Sequence, residues 1–161
     1  MNNLPSAFTQ RMHRLLQTET DRFLDVLQKA APVSIRFNTA KLAPASVRCS
    51  AWEGMRPVKW CPEGLYLDKR PLFTLDPYLH GGGYYVQEAS SMFLSYILKQ
   101  LLKGEAVRVL DLCAAPGGKS TLLASQLPDG SLLVSNEVIR SRAVILKENL
   151  IKWGRDHVVI T

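Results

Sequence analysis

At 161 residues the chain has room for one domain, or for a small domain joined to part of another. Hydrophobic residues make up 47% and charged residues 21%, a globular balance, and no apolar run nears the ~20 residues that a membrane-spanning helix needs. Twenty basic against fourteen acidic side chains give a net charge of +6, which favours polyanionic partners without proving one.

The excess leans toward residues 1–80, with eleven basic and seven acidic side chains, and forms no basic tail. Met1–Pro5 does not lead from a basic region into an apolar block, so no signal peptide is expected. Cys49, Cys61 and Cys113 are odd in number and irregularly spaced. They suggest neither a disulfide framework nor a zinc cluster, no metal site is expected, and a reducing cytoplasm fits best.

In chain order, two short helices are expected first. Pro5 suits a first helical turn, and Phe8, Met12, Leu15 and Leu16 share a face. Thr18 or Thr20 is the candidate cap of the second helix, whose stripe is Phe23, Val26 and Leu27. After Ala31-Pro32, the alternation in Ser34–Thr39 predicts a half-buried strand. Residues 40–80 read as loops and short strands. Gly81-Gly82-Gly83 breaks the chain, and an apolar helix is expected from about Ala89 to Leu102, with Gly104 as its stop.

From Val107 the pattern becomes strand-helix-strand-helix-strand. A buried strand spans Val107–Leu112, then comes a helix through Leu122, Leu123 and Leu127. A second strand follows at Ser131–Asn136. The next helix carries Ala143, Leu146, Leu150 and Trp153 on one face, with Gly154 as its cap, and His157–Thr161 begins a third strand. This is the first half of a doubly wound parallel sheet, an α/β arrangement.

The chemistry-bearing segment is Asp111-Leu112-Cys113-Ala114-Ala115-Pro116-Gly117-Gly118-Lys119-Ser120. It leaves the first parallel strand and enters a helix, the usual ligand position in such sheets. Gly117 and Gly118 allow close backbone approach, and the helix N-terminus offers free amides to an anionic group. Glu137, at the end of the second strand, is placed to hydrogen-bond a ribose diol. A phosphate-binding P-loop requires a glycine where Cys113 stands, and a dinucleotide fingerprint requires three spaced glycines. S-adenosylmethionine suits the segment better, with one carboxylate for the amides, a ribose for Glu137 and no pyrophosphate.

The segment resembles the cofactor loop of the Sun/Fmu-type (NOL/NOP/SUN) RNA cytosine-5 methyltransferases, whose hallmark is Cys-Ala-Ala-Pro-Gly-Gly-Lys. Ser34-Ile35-Arg36-Phe37-Asn38-Thr39 and Gln87-Glu88-Ala89-Ser90-Ser91 resemble two further segments of that family, in family order. Cell-division heat-shock 2′-O-methyltransferases share Ala-Ala-Pro-Gly-Gly, but follow it with an aromatic residue rather than Lys119. The resemblance implies an N-terminal α+β region over residues 1–105, facing RNA, and the first half of a class I (Rossmann-like) methyltransferase domain over 106–161. It also implies 5-methylcytosine formation, with ribosomal RNA as the first candidate substrate and transfer RNA as the second.

Cofactor contacts are expected from Cys113, Ala114, Ala115, Pro116, Gly117, Gly118, Lys119 and Glu137. The chemistry further needs a thiolate that adds to cytosine C6, and a base that later removes the C5 proton. The family carries its functional cysteines in Pro-Cys and Thr-Cys segments after the fourth and fifth strands, and these residues contain neither. No catalytic residue is therefore assigned, and the chain alone is expected to be silent. Cys113 is read as a small packed side chain beside the ligand rather than a nucleophile.

Several readings stay open. Lys119 is a cofactor-site contact or a solvated lysine, and Arg36 a phosphate contact or an outward-facing charge. Gln87 and Glu88 close the cofactor pocket or simply start a helix. Trp52, Trp60, Tyr84 and Tyr85 are base-stacking or core residues. A noncatalytic RNA-binding or assembly module with a relic cofactor loop is the rival from another class. Finally, Val107–Leu112 is expected to present an open apolar edge, which favours self-association, cover by the N-terminal region, or partial disorder after about residue 105.

Overall fold

The computed structural model describes residues 4–42 and 55–161, so Cys49 and Trp52 lie outside the described residues. The chain forms two compact units, Met1–Ala31 and Pro32–Thr161. The first holds α1 (Ser6–Leu16), a 3₁₀ turn (Gln17–Glu19) and α2 (Thr20–Leu27). Pro5 stands at the N-cap of α1 rather than inside its first turn. Neither Thr18 nor Thr20 caps α2, whose N-cap is Glu19 with no side-chain bond. The buried Thr20 hydroxyl instead donates backward to the Gln17 carbonyl at 2.8 Å, so the turn uses its oxygen as a donor. The Phe8 and Phe23 rings meet at 6.5 Å between centroids.

The second unit carries two sheets. One is antiparallel in the order β2-β3-β1-β4, with β1 at Val33–Phe37, β2 at Arg56–Val58, β3 at Cys61–Leu67 and β4 at Tyr84–Val86. The half-buried strand expected at Ser34–Thr39 is instead buried on both faces from Ser34 to Phe37. Ile35 and Phe37 pack with Leu67, Phe73 and Tyr84 in one apolar cluster. The opposite face holds Ser34 and Arg36, whose polar groups bond to Gln87 and Thr121. Alternation is present, but the second face is covered by protein rather than water, and strand periodicity alone cannot distinguish the two.

The other sheet is parallel, ordered β5-β6-β7, with β5 at Arg108–Asp111, β6 at Leu132–Ser135 and β7 at Val158–Ile160. The helices are α4 (Phe93–Leu101), α5 (Gly118–Gln126) and α6 (Arg140–Trp153); a short α3 (Pro77–His80) precedes β4. The apolar helix expected from Ala89 begins only at Phe93, because Ala89–Met92 run as turns. Its buried Ala89 and Met92 pack with Val58 and Cys61.

Leu98, Leu122, Leu123, Leu127, Leu133 and Trp153 form one cluster, joined by Val107, Val109 and Val158. Helices α4, α5 and α6 thus cover the same sheet face. The other face leaves Leu110 57%, Leu132 38% and Val159 47% exposed, which corrects the expectation of a strand buried throughout Val107–Leu112. Among the described residues β5 pairs only with β6, so it is an edge strand.

The two sheets are riveted together by buried polar groups. Asn38 donates from Nδ2 to the Gly82 carbonyl at 3.0 Å and to the Trp153 carbonyl at 2.8 Å. Lys41 Nζ reaches the Gly81 and Lys152 carbonyls. The backbone at Gly82 (φ +70°) passes so close to the end of α6 that a Cβ there would lie 1.9 Å from the Lys152 carbonyl oxygen. Gly82→Ala should therefore destabilise the fold by roughly 2–4 kcal/mol in urea unfolding, from overlap and left-handed strain together. A change below ~0.5 kcal/mol, the scale of a neutral surface substitution, would show that this approach is not a constraint.

Candidate functional site

The glycine turn grows directly out of the parallel sheet. Asp111 ends β5, and its Oδ2 accepts a hydrogen bond from Ser120 Oγ at 2.7 Å, tying the strand end to the first turn of α5. The tip of β6 holds the loop from beside. Asn136 donates from its amide to Asp111 O at 2.8 Å and accepts from Ala114 N at 3.0 Å. Its Nδ2 reaches Leu112 O. Gly117 sits at φ +111°, a left-handed conformation that a side chain would strain, and serves as N-cap of α5 without any side-chain cap. The Ala115-Pro116 peptide is cis.

Three loop carbonyls are pinned by side chains from elsewhere. Ala115 O accepts from Arg142 Nη2 at 2.9 Å, and Pro116 O from Asn149 Nδ2 at 2.8 Å and Tyr85 Oη at 3.2 Å. Gly118 O accepts from Gln87 Nε2 at 3.1 Å and Arg36 Nη2 at 3.4 Å. With these carbonyls held against the protein, the free amides of the first helical turn remain for a ligand. Burial raises the Tyr85 phenol, with the Arg36 charge opposing, so Tyr85 stays protonated and donates.

Glu137 is 8% exposed at the end of β6. Its Oε1 accepts from Ile139 N at 3.0 Å, and its Oε2 lies 3.5 Å from Arg142 Nη1. Arg142 thereby bridges the expected ribose acid and the Ala115 carbonyl, linking the two sequence-distant parts of the site. The fold brings Cys113–Lys119 and Glu137 to one end of the parallel sheet. A cavity of about 270 Å³ beside Tyr85, Asn149 and Trp153 has none of these residues in its lining.

Side-chain placement differs from expectation in two cases. Cys113 is exposed rather than packed, because it leaves the free edge strand where no neighbouring strand covers it. Arg36 is neither outward-facing nor free for phosphate: it is 2% exposed and lies 4.6 Å from the Trp153 ring centroid. Burial lowers its guanidinium to about 10, still charged at neutral pH. Gln87 is buried against the turn while Glu88 is exposed. Lys119 and Pro116 are exposed, Ala114, Ala115 and Gly117 are buried, and Gly118 is half-buried.

Sequence reasoning did not single out Arg142, Asn149 or the Ser120–Asp111 bond. The available signal was spacing: Arg142 and Asn149 lie seven residues apart on α6, one helix face, beside the apolar stripe. Tyr84 is buried, and Trp60 is half-buried with its indole donating to Ala89 O at 2.6 Å. Among the described residues no His, Cys, Asp and Glu cluster could hold a metal ion, and no helix is long and apolar enough to cross a membrane.

A parallel β-α-β-α-β unit, with a glycine turn after its first strand and an acid after its second, is the first half of a class I, Rossmann-like methyltransferase fold. Residues 4–89 match the N-terminal domain of 16S rRNA methyltransferase RsmF, and residues 98–161 match 16S rRNA methyltransferase RsmB/F. The chain belongs to the RsmF family of 16S rRNA methyltransferases, within the Sun/Fmu group.

Ribosomal RNA small subunit methyltransferase F of Shigella dysenteriae serotype 1 is 34% identical over 168 residues, covering 98% of this chain and 34% of the relative. Its counterpart in Cronobacter sakazakii is 34% identical over 170 residues, covering 98% and 35%. The chain thus spans about a third of the length of the curated relatives it matches. A solved methyltransferase homolog protein from Pyrococcus horikoshii superposes with a TM-score of 0.83 at 28% identity, covering 99% of this chain and 52% of that one.

The two described cysteines should differ in reactivity. Cys61 is fully buried, and burial, with Glu63 second, raises its thiol, whereas Cys113 is exposed. Brief iodoacetamide treatment of the folded chain at neutral pH, followed by peptide mapping, should modify Cys113 and spare Cys61. Equal labelling of both would contradict the burial of β3.

Proposed function

We propose that this chain forms the S-adenosylmethionine-binding portion of an RNA methyltransferase that makes 5-methylcytosine in ribosomal RNA, with transfer RNA the second candidate. The observation that carries the reading is the pairing of an uncapped helix N-terminus at Gly117-Gly118 with the buried Glu137 carboxylate at the next strand end. The donor set fits the cofactor: amides for its carboxylate, and an acid for its ribose hydroxyls. When bound, S-adenosylmethionine supplies an electrophilic methyl group.

The chain's own residues bind and orient. Gly117 keeps the turn open, Asn149 and Tyr85 fix the Pro116 carbonyl, and Arg142 holds Glu137 beside the loop. Cys113, Ala114, Ala115, Pro116, Gly118 and Lys119 complete the cofactor wall. Residues 1–105 are the RNA-facing region, residues 106–161 the cofactor half, and the cytoplasm the compartment. The only cysteines are Cys49, Cys61 and Cys113, none in a Pro-Cys or Thr-Cys segment. By itself the chain therefore binds cofactor without transferring the methyl group.

Calorimetry with S-adenosylhomocysteine tests this. The unmodified chain should bind, and Glu137→Ala should weaken binding by about tenfold or more, since a charged acceptor to the ribose is lost. The same preparation, given labelled cofactor and a 16S transcript, should transfer no label. Absence of any binding would favour a relic loop in an RNA-binding module, and equal binding by both forms would remove Glu137 from the site.

The open edge of β5 and the exposed Leu110 and Leu132 beside it supply an apolar pairing surface. The isolated chain should self-associate, so its sedimentation coefficient should rise with concentration. A constant monomeric value would rule out pairing through this edge.

A further inference from the structure

Arg36 belongs to the antiparallel sheet, yet its guanidinium ends at the glycine turn of the parallel one. Nε donates to Gln87 Oε1 at 2.8 Å, and Nη2 donates to Thr121 Oγ1 at 2.7 Å and to Gly118 O at 3.4 Å. Gln87 is itself held by its carbonyl, which accepts from Ser34 Oγ at 2.6 Å, and its Nε2 donates to the same Gly118 oxygen. The Thr121 hydroxyl is 3.2 Å from that oxygen as well. Three side chains thus converge on one carbonyl, and two come from outside the parallel sheet and its helices.

A peptide unit is a rigid plane, with its carbonyl and amide pointing in opposite directions. Holding the Gly118 oxygen inward therefore aims the Lys119 N–H outward from the helix end. The helix already turns this carbonyl toward its following turn, since Gly118 is the first residue of α5, but a glycine pair leaves the helix end prone to fray, and the side-chain contacts hold it. The Arg36 charge adds to it. Its hydrogen-bond acceptors are all neutral and it forms no direct salt bridge among the described residues, with Glu63 acting on it only at longer range, so a buried positive charge stands behind the helix N-terminus.

We propose that Arg36 is a positioning residue for the cofactor site: through Gln87 and Thr121 it sets the Gly118-Lys119 peptide so that the first-turn amides of α5 receive the carboxylate of the ligand. The proposal rests on the reading of the turn as an S-adenosylmethionine site. It gives the Arg36 strand a role in recognition rather than in RNA contact. It also predicts a selective defect, because only the amino-acid end of the ligand meets these amides.

The test compares S-adenosylhomocysteine with 5′-methylthioadenosine, which keeps the adenosine and lacks the carboxylate, on the full chain by calorimetry. Arg36→Lys keeps a positive charge but loses the planar fork. Thr121→Val keeps shape and removes the hydroxyl anchor, and serves if the first variant fails to fold. Each variant that melts cooperatively should bind S-adenosylhomocysteine about tenfold or more weakly, the scale of one charge-assisted hydrogen bond, and bind 5′-methylthioadenosine unchanged. Equal weakening of both ligands, or of neither, would overturn the positioning role while leaving the cofactor reading intact. Failure of the unmodified chain to bind either ligand would overturn the cofactor reading and the proposal with it.

Discussion

The second unit depends on a buried cation that makes no direct salt bridge among the described residues. A guanidinium removed from water costs several kcal/mol unless its donors are satisfied, and here neutral acceptors satisfy them. The three acceptors come from two places: Gln87 just beyond β4, and α5, which supplies the Gly118 carbonyl and the Thr121 hydroxyl. The Trp153 ring stacks over the guanidinium and adds a face that water would otherwise occupy. Meeting one side chain's needs therefore fixes β1, the glycine turn and the end of α6 relative to one another.

Asn38, the residue just past the end of β1, repeats the device with uncharged groups. Its amide satisfies the carbonyls of Gly82 and Trp153, so the last turn of α6 is completed by the antiparallel sheet rather than by water. Ser34 and Arg36 share one face of β1, and their buried partners explain why the strand is buried on both sides. Its apolar face closes one cluster, and its polar face serves as a connector. The close approach at Gly82 follows from the same geometry.

The site itself is built by directing carbonyls inward. Ala115, Pro116 and Gly118 each have their oxygens held by side chains from α6, from β4 and the residue after it, or from β1, and Gly117 adopts a left-handed conformation that a side chain would strain. The amides of Gly118, Lys119 and Ser120, in the first turn of α5, keep no intrahelical acceptor, beside the exposed Lys119 side chain. Arg142, half-exposed and shared between Glu137 and Ala115, ties the acid to the loop.

Much of this was legible in the residues alone. The period of the apolar positions in Ala143–Trp153, the glycine pair after a strand and the acid after the next strand are local patterns, and they determined the parallel unit and its loop. Tertiary structure decided everything that depends on what lies across a face. Periodicity shows that Ser34 and Arg36 share a side of β1, but not that α5 covers that side. It shows that Cys113 follows a strand with an open edge, but not that the thiol beyond that strand lies in solvent. It cannot reveal that Tyr85, Gln87 and Asn149 reach the same loop, because they are separated from it by roughly thirty residues and meet it only after two sheets pack. Backbone period is a property of neighbours along the chain, whereas burial and hydrogen-bond partners are properties of neighbours in space.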